Sequence, residues 1–426
     1  MSDHAPRAAI PSRSALALLS LLAVAGCAAQ AESPTPSPTN SPPAAAAAIQ
    51  GADFGACLAN IRRMALAQGV SAAVADNAFA GLTPDPKVLD LDGRQPEFSL
   101  TLGRYLGNAI SAERIAKGRQ MLARHNTLLR AVERDYGVQA EYLVSFWGLE
   151  SGYGSFVGDF SVVRSVATLA CRTRRAGFFA GETVQALRIL GANHLQPAQM
   201  KGSWAGAMGN TQFMPSTFTA HGVDRDGDGR VDLWNSLPDV FASSANFLSK
   251  VGWRRGQASH EEVTLPQGFA YDKIDLNEER TLREWRGLGV RLANGGALPD
   301  SAERAAIALP AGHRGPAFLM LPNFKVVMTW NRSVLYAISV GALARQIAGG
   351  PGLIREPPAE DQPIGREAAL DMQGRLQRLG LYGEEVDGMI GPKSRASLRA
   401  FQIRAGLVAD GHPSAETLGR LRAASP

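Results

Sequence analysis

Residues 140–149 constrain the fold most, because Tyr142, Leu143, Phe146 and Leu149 recur at helical spacing within a run that is almost wholly apolar. A helix of that composition lies buried. A single acid, Glu150, follows it where helix gives way to loop, and Gly152 and Gly154 end the helix and let the backbone turn. A carboxyl so placed is partly desolvated, which disfavours its charged form and raises its pKa, as a proton donor near neutral pH requires. Glu150 is therefore a candidate general acid. A lone Glu usually faces solvent, so the assignment depends on what else the chain carries.

A second stretch, Lys201-Gly202-Ser203-Trp204-Ala205-Gly206-Ala207-Met208-Gly209-Asn210-Thr211-Gln212-Phe213-Met214-Pro215-Ser216, is dense in glycine, small residues and placed polar groups. It suits a wall that a ligand's ring can approach closely. Together with Leu91-Asp92-Gly93-Arg94-Gln95-Pro96-Glu97-Phe98, Ala167-Thr168-Leu169, Arg174-Arg175 and Gly315-Pro316-Ala317-Phe318-Leu319, the two stretches resemble the membrane-bound lytic transglycosylase B family. These are lysozyme-like enzymes that cut bacterial peptidoglycan. The resemblance runs from about residue 54 to about 348 and implies a mainly α fold. Its parts would be a lysozyme-like helical catalytic domain and a small mixed α/β subdomain. It also implies that Arg174 and Arg175 line the substrate cleft, that Ser203, Gln212, Phe213 and Met214 orient or stack on the glycan, and that Met208 packs behind it. Where the family carries tyrosine-asparagine, this chain has Trp330-Asn331. An aromatic plane for sugar stacking is kept and the phenol's hydrogen bond is lost; Asn331 and Tyr336 remain candidate contacts.

At 426 residues the chain exceeds one ordinary core. Arg7 and Arg13 precede an apolar run, residues 15–25, too short to span a bilayer and shaped like a secretory signal. It ends in Val24-Ala25-Gly26-Cys27, which resembles the lipobox of bacterial lipoproteins, so Cys27 is the expected lipidation site and mature amino terminus. A plain signal peptide cut nearby is the alternative. Residues 28–50 are Ala, Pro, Ser and Thr with almost no large apolar side chain, and read as a disordered tether. The expected organisation is then a lipoprotein signal at 1–27, the tether at 28–50, a catalytic domain at 51–350, a Gly/Pro linker at 351–365 and a wall-binding domain at 366–424. In that last domain Leu370, Leu376, Leu379, Leu398, Phe401 and Leu407 describe three short helices around two Asp-Gly turns, resembling the three-helix peptidoglycan-binding domain. Helices are expected across residues 54–65, as a pair across 100–135, and at 240–251; strand-like pieces are expected at 306–309 and 325–328.

The formal charge is +5, a mild surplus without a basic run; it suits a polymer carrying carboxylates and does not argue for nucleic acid. The expected partners are peptidoglycan glycan strands and, through the lipid anchor, a membrane; the protein is expected to be monomeric. Alanine at position 28 directs it, by the sorting rule the lipobox resemblance suggests, to the inner face of the outer membrane in the periplasm. In that oxidising compartment Cys57 and Cys171 could bridge, or remain two buried thiols. Asp224-Arg225-Asp226-Gly227-Asp228-Gly229-Arg230-Val231 matches the opening of an EF-hand loop. The closing Glu is replaced by Asn235, and the family's later Asp finds its nearest match at Asp239, one residue beyond the expected place. Asp224, Asp226, Asp228, Arg230 and Asp239 thus form the expected ligand set for a structural Ca²⁺. Catalysis needs no cofactor.

Ordinary glycosidases set a second carboxylate across the scissile bond. None occurs between Asp159 and Glu182 or within residues 201–221. That absence fits the lytic route the resemblance implies, in which Glu150 protonates the oxygen between N-acetylmuramic acid and N-acetylglucosamine. It then takes the proton of the C6 hydroxyl, which closes onto C1. The rival readings are a hydrolytic muramidase and a non-catalytic anchored wall-binding protein.

Overall fold

Side-chain caps divide the N-terminal half into short helices. Asp53, Ser71, Thr101, Ser111 and Ser161 each accept the backbone N–H three residues on, satisfying a donor the first turn leaves open. The computed structural model describes residues 53–93, 100–274 and 278–425. The signal with Cys27, the tether and the Arg94-Gln95-Pro96-Glu97-Phe98 part of the family motif lie outside the described residues.

The order is α1 (Phe54–Ala67), α2 (Ala72–Phe79), α3 (Pro86–Gly93), α4 (Leu102–Ala109), α5 (Ala112–Arg124), α6 (Asn126–Tyr136) and α7 (Ala140–Ser151). Then come β1 (Phe160–Ser161), α8 (Val162–Arg172), α9 (Ala176–Ala192), β2 (Lys201–Gly202), α10 (Pro215–His221) and α11 (Leu237–Lys250). Three helices rather than two occupy 100–135, because Ser111 caps a new start and His125 breaks the chain again between α5 and α6.

A five-stranded antiparallel sheet comes next: β3 (His260–Thr264), β4 (Arg280–Thr281), β5 (Arg291–Leu292), β6 (Arg304–Ala308) and β7 (Ala317–Met320), with α12 (Leu282–Gly287) between β4 and β5. Its order is β4-β6-β7-β3-β5. In register, His260 faces Met320 and Val263 faces Ala317. Residues 325–328, expected to be strand, lie within α13 (Pro322–Trp330). Proline at the first helical position starts the turn, and burial of Val326 and Val327 in the helical core outweighs their β preference. Helix α14 (Val334–Ile347) then packs on α7, where the Ser145 hydroxyl donates to the Val340 carbonyl at 2.7 Å.

Three hydrophobic cores result: a large helical one containing α7 and α14, one under the sheet around Trp285, and one joining α15 (Arg366–Arg378), α16 (Pro392–Arg404) and α17 (Ala415–Ala424). Residues 351–365 do not hang free. Buried Glu262 on β3 accepts the N–H groups of Ile354 and Arg355, both at 2.7 Å. Farther on, Asp410 Oδ2 lies 2.9 Å from the His313 N–H and 2.7 Å from His313 Nδ1, tying the third core to the β6–β7 loop. Loss of a hydrogen bond to a charged group costs about 1.5–3 kcal/mol. His313→Ala is therefore expected to leave the melting of the first core unchanged while protease cuts residues 351–365 at least severalfold faster; equal cutting rates would show that this contact does not hold the domains together.

Candidate active site

Helix α7 is buried on nearly every face, and Glu150 sits within its last turn at 1% exposure. It is thus inside the helix and fully desolvated, rather than half-exposed at its end. Gly152, in the left-handed region at φ 59°, sends its N–H back to the Trp147 carbonyl and stops the helix there. Gly148 is required for space: a Cβ on it would lie 2.6 Å from the Tyr153 ring, which leans across α7 to donate to the Arg114 carbonyl.

The two carboxylate oxygens of Glu150 differ. Oε1 accepts the Trp330 indole N–H at 2.9 Å and the Tyr336 hydroxyl. Oε2 is equally buried and has no partner among the described residues. Leaving such an atom unmatched costs about 1–3 kcal/mol, so it calls for a reason. Burial pushes the Glu150 carboxyl up to about 7, against the opposing pull of the Tyr336 and Trp330 donors; among the described residues no second acid contributes to the shift. The group can hold a proton at neutral pH and release it at small cost.

The resemblance implies that Trp330 keeps an aromatic plane for sugar stacking and loses the phenol's hydrogen bond; in the structure the ring is buried and the indole supplies a bond of its own. Its ring lies against Phe146 with centroids 4.4 Å apart, flanked by Phe213 at 5.0 Å and Phe247 at 5.4 Å, and only 5% of it is exposed. Its N–H, donated to Glu150, supplies a bond in place of the phenol's. Asn331, buried, accepts the Ser333 N–H at 3.0 Å and so shapes the corner between α13 and α14.

The remaining expected residues fall into two sets. Gln212 adopts φ 49°, a region few non-glycine residues enter. From there its amide donates to the Val157 and Gly209 carbonyls at 3.1 and 2.9 Å, tying the glycine-rich run to the loop after α7. Ser203 accepts the Ala207 N–H at 3.0 Å within that run, Met214 stands just before the first residue of α10, and Met208 is wholly buried. Arg175 is drawn to Asp92 at 2.6 Å and lies 5.0 Å over the Phe179 ring, while Arg174 beside it is exposed.

Two residues not among the expected contacts join the site, Asn210 from the glycine-rich run and Tyr105 from outside it. Asn210 accepts the Trp147 indole N–H at 2.8 Å and donates to the Leu233 and Trp234 carbonyls, so α7 is linked to the acidic loop. The Tyr105 phenol, on α4, is held well above its usual range by burial and by the charge of Glu150, and it bonds the Ser333 side chain. Forty-five positions separate Tyr105 from Glu150, and no local pattern relates them.

In the acidic loop, oxygens of Asp224, Asp226 and Asp239 lie within 4.8 Å of one another. Asp239 reaches them from the first turn of α11 because Ser236 caps that helix. Its carboxylate accepts the Arg225 and Asp232 N–H groups at 2.8 and 2.9 Å, and burial, with the charge of Asp226, raises its pKa. Asp228, expected among the ligands, is not one of the three clustered acids, and it pairs with the Arg230 side chain at 3.0 Å on the surface. An oxygen-only set of crowded carboxylates fits a hard cation such as calcium.

A family description, the transglycosylase SLT domain, matches residues 53–345, and a peptidoglycan binding domain matches residues 365–421. Among solved structures, SltB3 from Pseudomonas aeruginosa in complex with NAG-anhNAM-pentapeptide is 44% identical, with TM-score 0.84, over 87% of this chain and 100% of that one. Membrane-bound lytic murein transglycosylase B of Escherichia coli (strain K12) is 29% identical over 256 residues, 58% of this chain and 67% of that protein. The Escherichia coli lytic transglycosylase Slt35 in complex with calcium is 25% identical, with TM-score 0.60, over 68% of this chain and 92% of that one.

Proposed function

Because the chain belongs to the transglycosylase SLT domain family, we propose that it is a lytic transglycosylase that cleaves the β-1,4 bond between N-acetylmuramic acid and N-acetylglucosamine in peptidoglycan, with Glu150 as acid and then base. The carrying observation is the buried Glu150 carboxyl, poised at about 7 with no acid beside it among the described residues. Neutral, it gives its proton to the glycosidic oxygen as the bond to C1 breaks. Charged, it takes the proton of the muramic C6 hydroxyl while that oxygen bonds C1, and Glu150 is neutral again. The product ends in 1,6-anhydromuramic acid and no water enters. Digestion of purified sacculi by the mature protein, read by mass spectrometry, tests this: the expected fragments are lighter by one water than reducing ends. Reducing ends alone would make the enzyme a hydrolase.

Around this chemistry the wall-binding domain at 366–424 holds the polymer beside the catalytic domain at 51–350, and the 28–50 tether with lipidated Cys27 keeps both at the inner face of the outer membrane. No helix among the described residues is long and apolar enough to cross a membrane. Exposed Arg174 and, beside it, Arg175 would border the glycan's cleft, with the buried Ser203, Gln212, Phe213, Met214 and Asn331 shaping the wall behind it.

Asp224, Asp226 and Asp239 would hold a structural Ca²⁺, supported by their crowding and by the calcium complex of Slt35. The ion would relieve the repulsion among them and brace the loop that Asn210 ties to α7. At about 100 times its Kd, calcium stabilises by about 2.7 kcal/mol. A rise in melting temperature on adding calcium is expected, absent in Asp239→Asn and absent with potassium. No rise in the parent protein would remove the ion from the account.

A further inference from the structure

We infer that Trp330 is a positioning residue for the lytic step: its indole N–H claims Glu150 Oε1 as an acceptor and so assigns the transferable proton to Oε2. This rests on Glu150 being the acid, as proposed above. A neutral carboxyl has one carbonyl oxygen, a good acceptor, and one hydroxyl oxygen, a poor acceptor and a donor. Two groups converge on Oε1, the Trp330 N–H at 2.9 Å and the Tyr336 hydroxyl. The phenol can serve as donor or acceptor, whereas an indole N–H only donates. Trp330 therefore decides which oxygen is the carbonyl.

Oε2 carries the consequence. It is buried and unmatched among the described residues, the state expected of an O–H whose partner is the glycosidic oxygen of a bound strand. Once the proton has left, two donors still spread charge at Oε1, and bare Oε2 is the stronger base. One oxygen therefore gives and takes the proton, without rotation of the side chain between steps.

The arrangement is built to keep Trp330 still. Its ring is clamped by Phe146, one turn before Glu150 on the same helix, and by Phe213 and Phe247. It is the last residue of α13, and the corner to α14 is set by Asn331 accepting from the Ser333 N–H and by Ser333 Oγ accepting the Tyr336 N–H at 3.3 Å. Both donors to Oε1 thus hang from one corner, residues 330–336, so they keep their spacing if the helices shift.

Trp330→Phe removes the N–H and keeps a ring in the clamp. With a soluble glycan strand of defined length as substrate, kcat is expected to fall roughly tenfold or more with KM within about twofold, as for loss of a hydrogen bond to a charged group. The basic limb of the kcat/KM profile is expected to move up by about one pH unit, because a carboxylate that loses a donor holds its proton more tightly. The infrared band of the protonated Glu150 carbonyl, identified by its absence in Glu150→Gln, is expected at higher frequency in the variant. That band reads the hydrogen bond whatever Glu150 does in the reaction. An unshifted band overturns the proton assignment, and so does a shifted band with an unmoved limb. Retained lytic product in Glu150→Gln would instead overturn the reading beneath it. Should the phenylalanine variant fail to fold, benzothienylalanine at 330, which keeps the bicyclic shape without the N–H, gives the same three readouts.

Discussion

Glu150→Gln is expected to release no anhydro-terminated fragments from sacculi while still sedimenting with them. The amide can neither give nor reclaim the proton, and loss of general acid–base catalysis alone is worth about 10²–10⁴ in rate. On the proposed route one residue serves both half-reactions, so the upper end of that range is the expected loss. The same substitution should also alter how stability depends on pH. In the native protein the Glu150 pKa is raised from 4.5 to about 7, so the folded state binds this proton more tightly than the unfolded chain does. Stability from this group is fully present below about 4.5, falls as pH rises, and reaches its floor above about 7. At about 1.4 kcal/mol per pH unit the loss is about 3 kcal/mol. The glutamine variant escapes that loss, less the cost of the unmatched amide N–H that replaces Oε2. Thermal melts from pH 4 to 8 should show a decline in the wild type that the variant lacks. Parallel curves, or undiminished release of anhydro fragments, would remove Glu150 from its role.

Reduction of the Cys57–Cys171 bridge is the second large expected effect. It joins α1 to the end of α8 across a sequence separation of 114 residues, with both residues buried. Freeing a loop of that length raises the entropy of the unfolded chain by an amount worth about 4–5 kcal/mol. The melting temperature should fall by about 10 °C when dithiothreitol is added, and a Cys57→Ala/Cys171→Ala variant should melt at the reduced value with or without reductant. Equal melting under oxidising and reducing conditions would mean that helix packing alone closes the α1–α8 contact.

What could be read without coordinates was local. Helical spacing marked α7, the glycines after Glu150 marked its end, and the Asp-Gly repeat marked the acidic loop. Where local preference and burial disagreed, as at Val326 and Val327, preference gave the wrong element: the β-branched pair sits in α13 because the core takes its side chains in that conformation. Asp239 matched no loop register by counting, yet the cap at Ser236 turns α11 so that its carboxylate arrives beside Asp224 and Asp226. Trp330 misleads for a related reason. A tryptophan in a sugar-cleaving chain suggests a platform, and only packing shows that its ring is buried.

The order of residues alone determined that a buried helix would bring Glu150 to its glycine-bounded end, that two compositionally odd stretches would flank the main domain, and that the stretches read as its cleft hold no second carboxylate. Each of these depends on periodicity or composition, which act over a few turns. The tertiary structure alone decided which oxygen of Glu150 is occupied, that Tyr105 bears on the site, and that residues 351–365 are strapped to β3. Those facts depend on groups 45 to 186 positions apart, or on Glu262 meeting Ile354 and Arg355. Hydrogen bonds reach about 3 Å, and only the folded backbone brings such distant groups within that distance.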